Sequence, residues 1–372
     1  MKFLVEQNEL LGGLQVVQRA ISSRSTLPIL SGIYLSCEHN LLRLRATDLE
    51  IGIECTIPVQ SEIEGETVLP ARYFVEIIKR LPDIPLTIER SEGNLVTIKY
   101  GSSEIQLNQF NAEEFPPLPE IEEIHSITIN ADLFINAIRQ VSIAASHDTS
   151  RPIFTGILLE VDQNNTLKLV ATDTHRLAYR EIMLSNASVN NFSCIIPSRT
   201  LGEISKIFRP EDNFIEISFA ENQVLFKVES TVLVSRLIEG QFPNYNQVIP
   251  TSYTSRVRIL TRDLLNSAER ASLLARDEFK NRSNVIKLNI SGNNLTITSQ
   301  SAEIGNLHEE LPIYLEGESA EIAFNARYLI DVLKVIDQEE INLDLTGSLS
   351  PGIIRPTDDP HVLFLVLPIR IN

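Results

Sequence analysis

The chain has 372 residues, 43% of them hydrophobic and only 22% charged, which leaves enough apolar surface for more than one buried core. It carries 49 Asp/Glu against 32 Lys/Arg, a formal net charge of −17, so phosphate binding is excluded unless its cations are gathered in one place. No apolar stretch approaches the roughly 18–20 residues of a membrane span.

Six helices are predicted, at 8–20, 71–80, 131–145, 198–209, 262–276 and 325–336, starting about 60–67 residues apart. After the first come Leu27–Leu35 (LPILSGIYL) and Leu42–Asp48 (LRLRATD). Both return after the third helix, as Arg151–Leu159 (RPIFTGILL) and Leu167–Asp173 (LKLVATD); a third echo, Leu295–Gln300 (LTITSQ), has lost the aspartate. Glu114–Pro119 (EFPPLP) likewise returns as Gln241–Tyr245 (QFPNY). Alternating runs such as Leu95–Tyr100, Ile215–Phe219, Val224–Val228 and Val285–Ile290 read as half-buried antiparallel strands. Turn residues punctuate them at Glu92-Gly93-Asn94, Gln163–Asn165, Glu221-Asn222 and Ser291–Asn294.

The second, fourth and sixth helices carry one pattern three times: Arg72–Glu76–Lys79, Arg199–Glu203–Lys206 and Arg327–Asp331–Lys334. Spacing of i, i+4 and i+7 puts each triad on one helical face. Opposite stand Phe74, Ile77, Ile78 and Leu81; then Leu201, Ile204, Ser205 and Phe208; then Leu329, Val332, Leu333 and Ile336, with Ser205 alone breaking the stripe. The chain is therefore three diverged copies of one α+β unit, each with two helices on one side of antiparallel sheet. Boundaries are expected in Phe115–Glu123 and around Pro250–Ser255, giving domains 1–122, 123–252 and 253–372. The six helices hold 13 Lys/Arg against seven Asp/Glu, a balance of +6 that leaves −23 on the rest. Charge sorted by element in this way favours cationic faces aimed at phosphate over faces that are merely solvated.

Candidate chemistry elsewhere is thin. His175 follows Asp173 closely, but no nucleophile motif accompanies the pair and the first copy has Asp48-Leu49-Glu50 at that place, so a structural or binding role is expected rather than catalysis. Asp358-Asp359-Pro360-His361 lacks a defined metal-ligand spacing and reads as a solvated turn. Walker, dinucleotide and zinc patterns are missing from the sequence, so no cofactor and no metal is expected. Cys37, Cys55 and Cys194 lie far apart with no C-x-x-C pairing and read as reduced, buried thiols of a cytoplasmic protein; with Glu6 and Glu9 near the start, no secretory signal is expected. The apolar end, Val362–Asn372, reads as a core strand over Leu363–Val366, stopped by Pro368, with Leu367, Ile369 and Ile371 left near an edge where a partner could dock.

Several segments together resemble one family. From Met1-Lys2-Phe3, through Arg24 before Thr26–Leu30 (TLPIL), Ala46-Thr47-Asp48, Pro70-Ala71-Arg72, Ala171–Leu177 (ATDTHRL) and Phe242-Pro243, to the tail Leu367–Ile371 (LPIRI), the chain is similar to bacterial DNA sliding clamps, the beta subunits of the replicative DNA polymerase. The resemblance implies three domains of the clamp fold and a head-to-tail homodimer closing a six-domain ring. Helices would line the hole around double-stranded DNA, with sheet outside. It implies a processivity factor and not an enzyme.

On that reading the set facing DNA is Arg24, Arg72, Lys79, Arg80, Arg199 and Lys206, with Arg270, Lys280, Arg282, Arg327 and Lys334. The resemblance also implies a groove between the second and third domains for short apolar peptides of partners: the clamp loader, replicative and translesion polymerases, mismatch-repair proteins and ligase. Position by position, its walls are Phe154, Thr172, His175, Arg176, Leu177 and Pro243, with Val248, Leu365, Leu367, Pro368, Ile369 and Arg370. Family members often have leucine or methionine where Phe154 and Leu367 stand. Ring closure would set Ile105 and Leu107 of one protomer against Leu273 and Leu274 of the next. The rival architecture is an open, monomeric repeat scaffold that keeps the basic faces and loses the hole.

Overall fold

The computed structural model describes residues 1–22, 27–90, 93–118, 125–184, 192–275, 284–301 and 304–370. Among the described residues the six helices are α1 (Gln7–Val17), α2 (Ala71–Arg80), α3 (Ala131–Ser142), α4 (Ser198–Ile207), α5 (Thr261–Leu274) and α6 (Ala326–Leu333). The first continues as a 3₁₀ turn over Gln18–Ala20, and the last stops at Leu333, three residues before the expected end. By contact density the chain forms two compact units, one chiefly Met1–Asp132 with Glu203–Leu237, the other chiefly Leu133–Ser185 and Ile238–Asn372.

The first unit holds a five-stranded sheet in the order 60–63, 2–6, 85–90, 95–100, 103–108. Its eight-stranded sheet runs 125–130, 214–219, 223–228, 231–236, 51–58, 41–47, 32–38, 65–70, and every pairing is antiparallel. The central ladder, Val234 opposite Gly52 and Leu233 opposite Ile53, joins strands almost two hundred residues apart in sequence into one sheet. Leu10, Leu14 and Val17, one helical face, are fully buried. Gly13 sits on the same face: a Cβ there would press into Leu44 Cδ1, so the glycine that weakens the helix, by roughly 1 kcal/mol against alanine, lets it lie close to the sheet.

In the second unit a nine-stranded sheet runs 192–197, 156–161, 166–172, 176–183, 362–366, 352–356, 340–345, 255–260, 314–317, and a four-stranded one runs 305–312, 294–301, 285–291, 320–325. The apolar C-terminal run is the central strand Val362–Val366, buried at every residue. Burial on both faces explains its continuous hydrophobicity, where a one-sided strand such as Val285–Ser291 alternates.

The apolar stripes meet the sheets as expected. Phe74, Ile78, Leu201, Ile204, Leu329, Val332 and Leu333 are all at most 1% exposed, and each such side chain contributes about 1.5–3 kcal/mol on burial. Ile77, Leu81 and Ser205 fall at the stripe margins, half-buried, while Val75 is buried instead. Asn325 caps α6 by accepting from the Arg327 N–H at 3.0 Å. All three cysteines are free and buried, and burial pushes the Cys194 thiol far above its ordinary pKa.

Candidate functional site

Thr172–Arg176 is a tightly constrained surface turn. Asp173 Oδ1 accepts from the His175 and Arg176 N–H groups at 2.9 and 3.0 Å, and Thr172 Oγ1 donates to the Arg176 carbonyl at 2.8 Å. The turn forces Thr174 to φ 76°, a left-handed conformation uncommon outside glycine and asparagine. Its reward is placement: His175 is exposed at the tip, and Arg176 and Leu177 begin the strand paired with Val366 and Leu365.

A buried cluster supports it, made by Leu158, Val170, Leu177, Ile195, Tyr245, Ile353, Leu363 and Leu365, with Phe242, Ile238 and Ile249 packed against it. Leu177 and Leu365 are thus floor, at 3% and 4% exposure, while Leu367 at 38% and Val248 at 52% offer apolar surface to solvent. Pro243 is exposed on the same segment as Phe242 and Tyr245, and Phe154 is half-buried, its carbonyl accepting from Ser146 N–H at 2.8 Å. The tail past Pro368 stays tied down: Leu367 N–H donates to the His175 carbonyl at 2.9 Å and Ile369 N–H to the Ala323 carbonyl at 2.8 Å. Pro368 and Ile369 are half-buried and Arg370 is exposed. Ile371 lies outside the described residues.

Two further residues belong here that the sequence reading missed. The Tyr328 ring stacks on His175 with centroids 6.2 Å apart and lies 4.6 Å from the Arg176 guanidinium carbon, a cation–π contact. Burial, with Asp173 nearby, raises its hydroxyl pKa. Asp331, the acidic member of the third triad, accepts from Arg176 Nη1 at 2.6 Å. A signal for Tyr328 was present: Ala71-Arg72-Tyr73 and Ala326-Arg327-Tyr328 are the same tripeptide at the start of equivalent helices.

Eight of the eleven expected DNA-facing cations are described, and all eight are exposed: Arg72, Lys79, Arg80, Arg199, Lys206, Arg270, Arg327 and Lys334. Arg24, Lys280 and Arg282 lie outside the described residues. The eight are not equally available. Arg270 forks onto Glu309 with contacts of 2.6 and 2.7 Å, and that hydrogen bonding holds the Glu309 carboxyl below its usual range. Lys206 pairs with Glu203 at 2.8 Å, Lys334 with Glu269 at 2.8 Å and Arg80 with Glu76 at 3.2 Å. Among the described residues, Arg72, Lys79 and Arg327 have no carboxylate partner. The triads share a face, but their acids pair differently: Glu203 with Lys206 inside its triad, Glu76 with Arg80 one turn on, and Asp331 with Arg176 far away in sequence.

At the metal-like loop, Asp359 pairs with Arg180 and accepts from the His361 N–H at 3.0 Å, while the His361 ring lies 3.2 Å from Glu181. Its acid is committed to a guanidinium, as befits a structural turn.

Among the edge strands of the four described sheets are Ser103–Asn108, carrying Ile105 and Leu107 half-buried, and Gly305–Pro312. At the end of α5, Leu273 is 63% exposed and Leu274 half-buried. Open edges and exposed leucines are features that proteins ordinarily cover.

Comparison with known proteins agrees along the whole chain. Residues 1–119, 128–244 and 246–370 match the N-terminal, central and C-terminal domains of the DNA polymerase III beta subunit. The beta sliding clamp of Bacillus subtilis (strain 168) is 38% identical over 380 residues, covering 100% of both chains, and that of Staphylococcus aureus (strain N315) is 37% identical over 379, covering 100% of this chain and 99% of its own. The crystal structure of the Bacillus subtilis clamp superposes with a TM-score of 0.95 at 38% identity, and that of a Pseudomonas aeruginosa clamp bound to griselimycin with 0.94 at 29%, each covering 100% of both chains. With a threefold repeat, antiparallel sheets and helices in every repeat, and a match that leaves no large segment unaccounted for, the chain belongs to the DNA polymerase III beta subunit family.

Proposed function

We propose that this protein is the processivity clamp of a DNA polymerase: two copies close head to tail into a ring that encircles duplex DNA, slides without reading sequence and tethers the polymerase. The observation that carries this reading is three consecutive beta-subunit domains in each of which one helix, α2, α4 or α6, buries an apolar stripe and leaves cations outward. The protein is not an enzyme; its work is topological. Lys and Arg on rigid helices attract phosphates without contacting base edges, so no register is preferred and translation costs little. Retention needs no tight contact, and tight contacts would oppose sliding.

In this reading the domains are 1–122, 123–252 and 253–372. Arg72, Lys79 and Arg327 are the leading phosphate contacts because no carboxylate competes for them among the described residues. The other described cations share their charge with an acid or a neighbour, and Arg24, Lys280 and Arg282 join by family likeness. The surface around His175, Arg176, Leu367 and Val248 takes a short apolar peptide, its floor laid by Leu177 and Leu365, its orientation set by the Arg176–Tyr328 pair. Phe154, Thr172, Pro243, Pro368, Ile369 and Arg370 complete its walls. The partners are the clamp loader, replicative and translesion polymerases, mismatch-repair proteins and ligase, in the cytoplasm. The open edges at Ser103–Asn108 and Gly305–Pro312, with Ile105, Leu107, Leu273 and Leu274, form the protomer contact.

The test is retention after loading. On circular duplex the protein stays bound through a high-salt wash; on the same DNA linearised it is lost from the ends. Equal retention on both forms, or a monomeric mass in solution, would leave an open scaffold as the correct description.

A further inference from the structure

The first unit holds an almost atom-for-atom copy of the Asp173 turn. Thr47 Oγ1 donates to the Ile51 carbonyl at 2.9 Å, as Thr172 does to Arg176 at 2.8 Å. Asp48 Oδ1 accepts from the Glu50 and Ile51 N–H groups at 3.1 and 2.9 Å, as Asp173 does from His175 and Arg176. Leu49 has φ 75° where Thr174 has 76°. Even the clasp is repeated: Arg236 N–H donates to the Glu50 carbonyl at 3.0 Å, matching Leu367 N–H to His175 at 2.9 Å.

The side chains after the aspartate differ, with Glu50 in place of His175 and Ile51 in place of Arg176, and the next position changes the floor. Gly52 stands opposite Val234 where Leu177 stands opposite Leu365. A Cβ built on Gly52 would overlap Leu118 Cδ2, so Leu118 occupies the space that the Leu177 side chain fills in the other copy. Leu118 is held there by its own segment, whose Phe115 is buried with Ile29, Leu30 and Val68 and stacks on Tyr34 at 5.3 Å between centroids.

We propose that the Asp48 turn is a second site for a short leucine-bearing peptide, filled in this structure by the protein's own Leu118, so that each chain carries one open and one self-occupied peptide site. The inference rests on reading the Asp173 turn as the partner groove. Gly52 deepens the floor by one side chain and Leu118 takes up the depth. Because Leu118 is tethered three residues from the Phe115 anchor, it competes at an effective concentration of about millimolar or above, enough to keep out a free peptide of ordinary affinity.

The experiment uses full-length protein and a fluorescein-labelled octapeptide with the sequence of Asn111–Leu118 (NAEEFPPL), read by anisotropy; the chain has no tryptophan, so folding is checked by circular dichroism melting. Leu118→Ser is expected to bind the octapeptide at least tenfold more tightly than the unsubstituted chain. Adding Gly52→Leu, the residue the sister strand carries, is expected to abolish that gain, and adding Leu367→Ala to leave it intact. Equal binding with and without Leu118→Ser overturns the proposal, as does a gain abolished by Leu367→Ala but not by Gly52→Leu. Should the serine variant not fold, Leu118→Ala decides the same question by the same comparison. The groove reading is judged separately, by whether Leu367→Ala in the otherwise native chain weakens a polymerase-derived peptide; a positive result there with no gain at Gly52 sinks this inference alone.

Discussion

Arg176 reaches Asp331 across 155 positions of sequence and donates to it at 2.6 Å, while its Nε holds Asp173 at 3.0 Å. One guanidinium thus fastens the turn that presents His175 to helix α6, and its planar fork lies against Tyr328. The acid that a helical pattern would assign to Arg327 and Lys334 holds the His175 turn instead.

Asp331→Asn should therefore weaken binding of an apolar partner peptide about threefold to tenfold. The effect, on the order of 1 kcal/mol, is smaller than the about 1.5–3 kcal/mol of a charge-assisted bond because Asp173 still holds Arg176. Fluorescence anisotropy with a labelled peptide measures it; unchanged affinity would mean that Asp331 does not position Arg176.

Salt dependence separates free cations from paired ones. For association with a short linear duplex, Arg72→Gln or Lys79→Gln should each reduce the slope of log K against log salt by about 0.9. Arg270→Gln should change it by less than half as much, because Glu309 already neutralises that guanidinium. Glu309→Gln should restore the difference; equal slopes for all the cation variants would show that the Glu309 pairing is broken on DNA.

Replacing Leu273 and Leu274 together by aspartate should give a folded monomer. Leu273 is 63% exposed in the single chain, so its charge costs little in the protomer and much in a closed interface. Analytical ultracentrifugation reads the mass, and a persistent dimer refutes the assignment.

Glu309 gives a pH signature. Hydrogen bonds from Arg270 hold its folded pKa below the ordinary 4.5, so the pairing stabilises the fold above that value and its contribution fades as pH falls through the depressed pKa. The melting difference between the native chain and Arg270→Gln should be constant near neutrality and shrink in acid. Carbon-13 titration of the Glu309 carboxyl should return to the ordinary range in the Arg270→Gln chain; the same depressed value in both would assign the shift to something other than Arg270.

Much of the architecture was legible because its signals are local. Phe74 and Ile78, or Leu201 and Ile204, recur at helical spacing, and a helix that buries one side of itself has no other way to be written. The alternation in Val285–Ser291 is equally plain, since successive strand residues face opposite ways. The repeat of Ala46-Thr47-Asp48 as Ala171-Thr172-Asp173 was also plain, though only the structure shows each aspartate closing a turn onto nearby N–H groups. Tyr328 was missed because an aromatic beside an arginine on a helix has no single local meaning, and only the approach of the His175 turn gives it one.

By itself, then, the sequence determined the helices, the strands, the threefold repeat and the sorting of cations onto helical faces, all properties set within a few residues by backbone geometry. Tertiary structure alone decided which charges are spoken for and which pocket is filled. Arg270 finds Glu309 39 positions away, Arg176 finds Asp331 155 away, and Leu118 settles on Gly52. Those pairings depend on how strands register and loops close, and periodicity along a chain carries no record of distances across it.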